Sequence, residues 1–148
     1  MNKKPLKKNA VIKILKNIYL NNLESEIINL YDAEDRILSK PIISSINLPP
    51  FKNSAVDGYA IHDEDIGQCN NVKVSYRISA GDNEEVTLLK GEDARIFTGA
   101  KMPKNSNTVV MQENVRENKG IIKVIKKPTI GENCRLAGED VKKNKKNF

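Results

Sequence analysis

Three short clusters in this chain carry residue types that could do chemistry. The first is Leu48-Pro-Pro-Phe-Lys-Asn-Ser-Ala-Val-Asp-Gly-Tyr-Ala60. Pro49 and Pro50 fix their own φ angles, and Pro50 pushes the residue before it toward extended backbone. Asn53, Ser54 and Asp57 can bond to nearby backbone and hold an irregular loop still. Gly58 can take conformations closed to other residues or let another group come close. A stiff, polar, glycine-containing loop is a means of presenting the Asp57 carboxylate. The plain alternative is a structural turn that Asp57 merely caps.

The second cluster, Ile96-Phe-Thr-Gly-Ala-Lys-Met-Pro-Lys104, reads as a strand ending at Thr98-Gly99-Ala100. That ending would place a hydroxyl and free backbone N–H groups of Thr98 and Gly99 at a strand tip, where polar or anionic ligand atoms can bind. A simple turn is the alternative. The third cluster, Gly131-Glu-Asn-Cys-Arg-Leu-Ala-Gly-Glu-Asp140, sets Glu139 and Asp140 behind a glycine hinge. Paired acids can bind magnesium, act as acid or base, or accept from an N–H edge; a solvated acidic turn is the alternative.

The elements that must position these clusters follow from patterning. Val11, Ile14, Leu15, Ile18 and Tyr19 recur at helical spacing with Lys13 and Lys16 opposite, which predicts an amphipathic helix over 8–20. Glu26–Leu30 is a short strand candidate, and Asp32 a candidate N-cap for a helix that Pro41 ends near Lys40. Ile42, Ile43 and Ile46 suggest an extended connection. From Tyr59 the pattern turns to short strands at Tyr59–His62, Val72–Tyr76, Arg95–Thr98, Thr108–Gln112 and Gly120–Ile125, with a hairpin turn at Asn118-Lys-Gly120. Gly91–Ala94 reads as one helical turn at most. The expected class is α+β, mostly β: an N-terminal helix, an extended linker and a small β-barrel-like unit.

Composition narrows the function. Hydrophobic residues make up 39% and aromatics 5%, without Trp, so the core is aliphatic and modest. The net charge of +6 lies in the ends. Residues 21–141 hold 15 basic against 19 acidic residues, a net of −4, which argues against a nucleic-acid surface. There is no long apolar run and no signal-peptide pattern, so a cytoplasmic protein off the membrane is expected. Cys69 and Cys134, with His62 the only histidine, do not have zinc-ligand spacing. His62 reads as a surface residue.

Taken in order, the proline loop, Thr98-Gly-Ala100 and Arg135-x-x-Gly-Glu-Asp140 resemble the N-terminal region of the molybdopterin molybdenumtransferases, the MoeA family, related to the C-terminal domain of gephyrin. Ala80-Gly81, Gly91-Glu92, Pro103 and Val109-Val-Met-Gln-Glu113 fall in the same order. The resemblance spans residues 8–143. It departs at Lys104-Asn-Ser106 and Asn144, where relatives carry glycine-containing turns.

The resemblance implies a magnesium-dependent homodimeric enzyme that inserts molybdate into adenylylated molybdopterin and releases AMP. It implies that Asp57, Thr98 and Asp140 line or support a cleft completed by an α/β domain of the other subunit. Asn53, Ser54 and Gly99 would bind substrate or shape the loop that does, and no metal ligand is expected in this stretch. It also implies a helix over 1–20, a discontinuous dimerisation domain at 21–47 and 132–148, and a β domain at 48–131. The family continues past this point into the α/β domain that carries most of the nucleotide, magnesium and molybdate contacts. The isolated chain is therefore expected to be inactive. The other reading is a non-catalytic dimerising module of the same fold.

Overall fold

The computed structural model describes residues 5–16, 24–66 and 70–145. Ile18, Tyr19 and Cys69, named above, lie outside them. The chain divides into two compact units, Met1–Lys40 and Pro41–Phe148.

In the first unit, α1 (Lys8–Lys16) forms as the spacing predicts, with none of its residues buried. The predicted strand at Glu26–Leu30 and helix at Asp32–Lys40 do not form. Asn29, rather than Asp32, is the cap: its side chain accepts the Tyr31 N–H and starts a single 3₁₀ turn, Leu30–Asp32. Asp35 takes a left-handed φ of 60°, which stops a helix there. Arg36 reaches back to Glu26. Ile27, Leu30, Tyr31 and Ile37 remain almost fully exposed, so these short segments gain no burial to offset the entropy of ordering.

Among its described residues the second unit carries eight strands: β1 (Asn53–Ser54), β2 (Gly58–Ile61), β3 (Asn70–Ile78), β4 (Glu92–Ile96), β5 (Thr108–Met111), β6 (Val115–Asn118), β7 (Ile121–Val124) and β8 (Cys134–Arg135). Six of them make a sheet in the order β5-β2-β4-β3-β7-β6, and β1 pairs with β8. All pairs are antiparallel except β3–β4. The sheet curls into a half-barrel. Val115 on the β6 edge packs against Ile61, Ile66 and Val110 near the opposite edge, and against Tyr59, Val72 and Ile122. The other face buries Ala60, Ile78, Leu88, Ala94, Ile96, Ala100, Met102 and Val109. Each fully buried Ile, Leu or Val contributes about 1.5–3 kcal/mol.

The β6–β7 hairpin turns on Lys119-Gly120, with φ of 49° and 75°, the type I′ geometry the strand twist favours. Gly91–Ala94 is not a helical turn: Gly91 turns the chain and Glu92 opens β4. His62 is not a surface residue. It is buried, and its Nδ1 accepts the Glu64 N–H to cap the 3₁₀ turn Asp63–Asp65.

Candidate functional site

The proline loop is clamped from both sides. The Leu48–Pro49 peptide is cis. Leu48 and Val141 exchange backbone hydrogen bonds of 2.8 and 3.1 Å, and Gly138 N–H donates to the Pro49 carbonyl at 2.9 Å. Further on, β1 pairs with β8, setting Asn53 opposite Arg135 and Ser54 opposite Cys134. The same strand meets the second cluster: Ser54 N–H donates to Ala100 O at 3.0 Å, and Gly99 N–H donates to Ser54 O at 2.9 Å. The three clusters thus converge, with Ser54 at the crossing. Ser54 is buried and its hydroxyl donates to Val56 O at 2.6 Å, so it shapes the loop. Asn53 is buried beside it, with Oδ1 accepting no hydrogen bond.

Asp57 and Thr98 meet directly. Thr98 donates its backbone N–H (2.8 Å) and its hydroxyl (2.7 Å) to the same oxygen, Asp57 Oδ1. Asp57 Oδ2 accepts no hydrogen bond among the described residues. Thr98 is exposed and Asp57 half-buried, so the pair faces outward from the strand tip. The Thr98 N–H, and then its hydroxyl, hold the Asp57 carboxyl below the ordinary carboxylate range, with the Arg95 charge acting in the same direction. Removing the hydroxyl in Thr98→Val should raise the Asp57 titration midpoint while the backbone bond keeps part of the depression. Carbon-detected NMR of the carboxyl carbon reads this, and an unmoved midpoint would contradict the geometry.

The expected free N–H groups at this tip are not free. Thr98 N–H bonds Asp57, Gly99 N–H bonds Ser54, and Ala100 N–H bonds Phe97 O. The tip therefore offers a carboxylate oxygen to a ligand, in place of an N–H nest. Gly99 is exposed with φ of 82°, which turns the chain back toward β1.

Asp140 stands apart from this pair. Both of its oxygens accept from Arg135 Nη2 at 2.6 Å, while Glu139 accepts from Arg135 Nε (3.2 Å) and the Leu136 N–H (2.9 Å). Asp140 makes no hydrogen bond to Asp57 or Thr98. Both acids of the third cluster pair with the single arginine of their own loop, which β8 sets opposite Asn53. No three His, Cys, Asp or Glu side chains come together to hold a metal ion among the described residues. With Asp140 taken by Arg135 and one oxygen of Asp57 by Thr98, these residues do not by themselves fit a magnesium site.

Sequence reasoning missed Arg95 and Gln112. Arg95 Nη1 donates to the Gly58 carbonyl at 2.9 Å and Nη2 donates to Gln112 Oε1. Gln112 N–H in turn donates to the Asp57 carbonyl at 3.1 Å. The Asp57–Gly58 backbone is thus gripped at both carbonyls. The available signal was an arginine within a strand pattern, which calls for acceptors close by.

Similarities to known proteins follow the same order of elements. Residues 6–147 match a family model described as the MoeA N-terminal region, domains I and II. A Nostoc protein named molybdopterin molybdenumtransferase is 41% identical over 118 residues, which are 76% of this chain and 27% of that protein. A Haemophilus influenzae protein of the same name is 40% identical over 81% of this chain and 30% of its own length. The crystal structure of a molybdopterin biosynthesis MoeA protein from Pyrococcus horikoshii OT3 superposes with a TM-score of 0.73 at 34% identity, covering 83% of this chain and 34% of that one. The chain spans about 30% of the length of the curated relatives it matches.

Proposed function

Because the chain belongs to the MoeA family of molybdenum cofactor biosynthesis, we propose that it forms one wall of a molybdopterin molybdenumtransferase site. The reaction is insertion of molybdate into adenylylated molybdopterin with release of AMP. The observation that carries this reading is the Asp57–Thr98 pair: two donors on one carboxylate oxygen, the other oxygen open at a strand tip. An ionised carboxylate in that setting accepts the N–H groups of a pterin edge. Thr98 fixes its orientation, and the Arg95–Gln112 grip fixes the backbone under it. Asp140 acts through Arg135 as a brace between the third cluster and the proline loop. Asn53, Ser54 and Gly99 shape the wall. The magnesium this family's reaction requires would neutralise phosphate charge when bound, and its ligands would come from outside these residues. Molybdate and phosphate likewise need cations from a facing domain.

The protein is proposed to work as a cytoplasmic homodimer. The exposed apolar side chains of the first unit, Ile27, Leu30, Tyr31 and Ile37 among them, suit a subunit contact. No helix among the described residues is long and apolar enough to cross a membrane. The same exposed side chains also favour a second reading, a dimerising module without chemistry.

The chain alone is proposed to be inactive. The test is a graft in which residues 5–145 replace the matching region of the Haemophilus relative. Cofactor formation from adenylylated molybdopterin and molybdate by the graft, with none from the 148-residue chain alone, is the expected result. A folded, dimeric graft without turnover would reject the transferase reading.

A further inference from the structure

A groove of about 340 Å³ is lined by Val74, Ser75, Tyr76 and Arg77 of β3, Arg95 of β4 and Glu117 of β6. Parallel pairing of β3 with β4 sets Arg77 directly beside Arg95. Both guanidinium groups lie over the Phe97 ring, at 4.5 and 4.7 Å from its centroid, and Arg95 also lies 5.1 Å from the Tyr59 ring. Arg95 lines the groove and its charge also acts on the Asp57 carboxyl, so the two lie near one another.

The groove lining carries two guanidinium groups against one carboxylate, that of Glu117. Neither arginine takes part in an ion pair among the described residues. Arg95 spends its bonds on neutral acceptors, Gly58 O and Gln112 Oε1. Arg77 is exposed and donates to no acceptor among the described residues. The two acids nearby are oriented by neutral hydroxyls rather than by the arginines: Glu117 accepts from Tyr59 at 2.7 Å and Glu92 from Ser75 at 3.0 Å, so each keeps its charge but pairs with neither guanidinium. Two adjacent like charges repel unless something neutralises them, and aromatic faces do so only in part. A planar guanidinium held against a ring with its N–H edge unused is set to take a phosphoryl oxyanion in a two-point contact.

We propose that this groove binds a phosphoryl oxyanion, with Arg77 making the direct contact and Arg95 supplying the second, fixed charge. The inference rests on the proposed function only for its ligand's source, the phosphoryl groups of a nucleotide-linked substrate. The binding itself is independent of turnover. It answers in part the need for cations on the wall that Asp57 lines.

Inorganic pyrophosphate titrated into the full chain tests it, with sodium chloride at matched ionic strength as the comparison. The readout is nitrogen-15 NMR of the arginine Nε–H groups and of the Phe97 and Thr98 amides. Saturable shifts of Arg77 Nε and these amides are expected with pyrophosphate and not with chloride. Arg77→Gln should weaken binding about tenfold or more, the loss of one charge-assisted contact. Arg77→Lys should recover only part, because it keeps the charge and loses the fork. Shifts confined to the terminal lysines, equal shifts with chloride, or undiminished binding by Arg77→Gln would overturn the proposal. Such a failure leaves the transferase reading standing, and an inactive graft leaves the groove standing.

Discussion

Gly58→Ala is expected to destabilise the second unit severely. Gly58 sits in β2, between β4 and β5, and a Cβ there would lie 2.1 Å from the Val110 carbonyl oxygen and 2.9 Å from its carbon. Val109 Cγ1 would be 3.0 Å away. Both obstacles of closest approach are backbone atoms of a paired strand, so no side-chain rotation relieves them. Opening the β2–β5 ladder exposes Ala60, Ile61, Val109 and Val110 together, all buried in the native fold. The expected loss is about 4 kcal/mol or more, much of the total stability of a small domain. Gly120→Ala is the control. Gly120 has φ of 75° but nothing within 4 Å of its added Cβ, so it bears only the left-handed strain, about 1 kcal/mol. Urea unfolding of both variants should separate clash from strain, and near-equal midpoints would contradict the packing described for β2.

Asp93→Asn is expected to stabilise the protein, increasingly so as pH rises. Asp93 is fully buried in β4, and neither carboxylate oxygen has a hydrogen-bond partner. Burial pushes its pKa from 3.8 up to about 7. The His62 backbone N–H pulls the other way without reaching hydrogen-bond geometry, and Asp65 adds like-charge repulsion. The folded state thus holds the proton more tightly than the unfolded chain. Its contribution to stability is fully present below pH 3.8 and is lost as pH rises to about 7. The full penalty above that is about 4 kcal/mol. Asn cannot ionise but remains a buried polar group, so a net gain of about 2 kcal/mol at pH 8 is expected. Denaturant midpoints from pH 4 to pH 8 should fall for the native chain and stay nearer level for the variant. Parallel curves would show that Asp93 does not stay protonated in the fold.

The half-barrel was legible wherever local chemistry is strong. β2, β5 and β7 follow from short aliphatic runs bounded by turns, and the β6–β7 turn from Asn118-Lys-Gly120. The Asp57–Thr98 contact followed from the order of the clusters and the resemblance they carry, since nothing local joins residues 41 apart. Other features were hidden for physical reasons. The opening of β4 places Asp93 at a buried position, a violation of polar patterning that made a strand look like a turn. The stretch from Glu26 to Lys40 carries apolar residues at strand and helix spacing, yet they find no facing surface. Arg77 and Arg95 meet only through parallel register across a bulge near Val74 and Tyr76, which no reading of either strand alone reveals. Asp140 looked like an available acid because its partner, Arg135, was read as part of a motif rather than as a counter-charge.

The central claim is that the Asp57 carboxylate, aimed by Thr98, acts on substrate. Asp57→Asn in the grafted enzyme tests it most directly, because the amide oxygen can still accept both Thr98 bonds while the charge is gone. Cofactor formation, measured as kcat/KM for adenylylated molybdopterin, should fall about 100-fold or more with folding and dimerisation unchanged. Turnover within about twofold of the parent graft would contradict the claim and leave the wall a scaffold without chemistry.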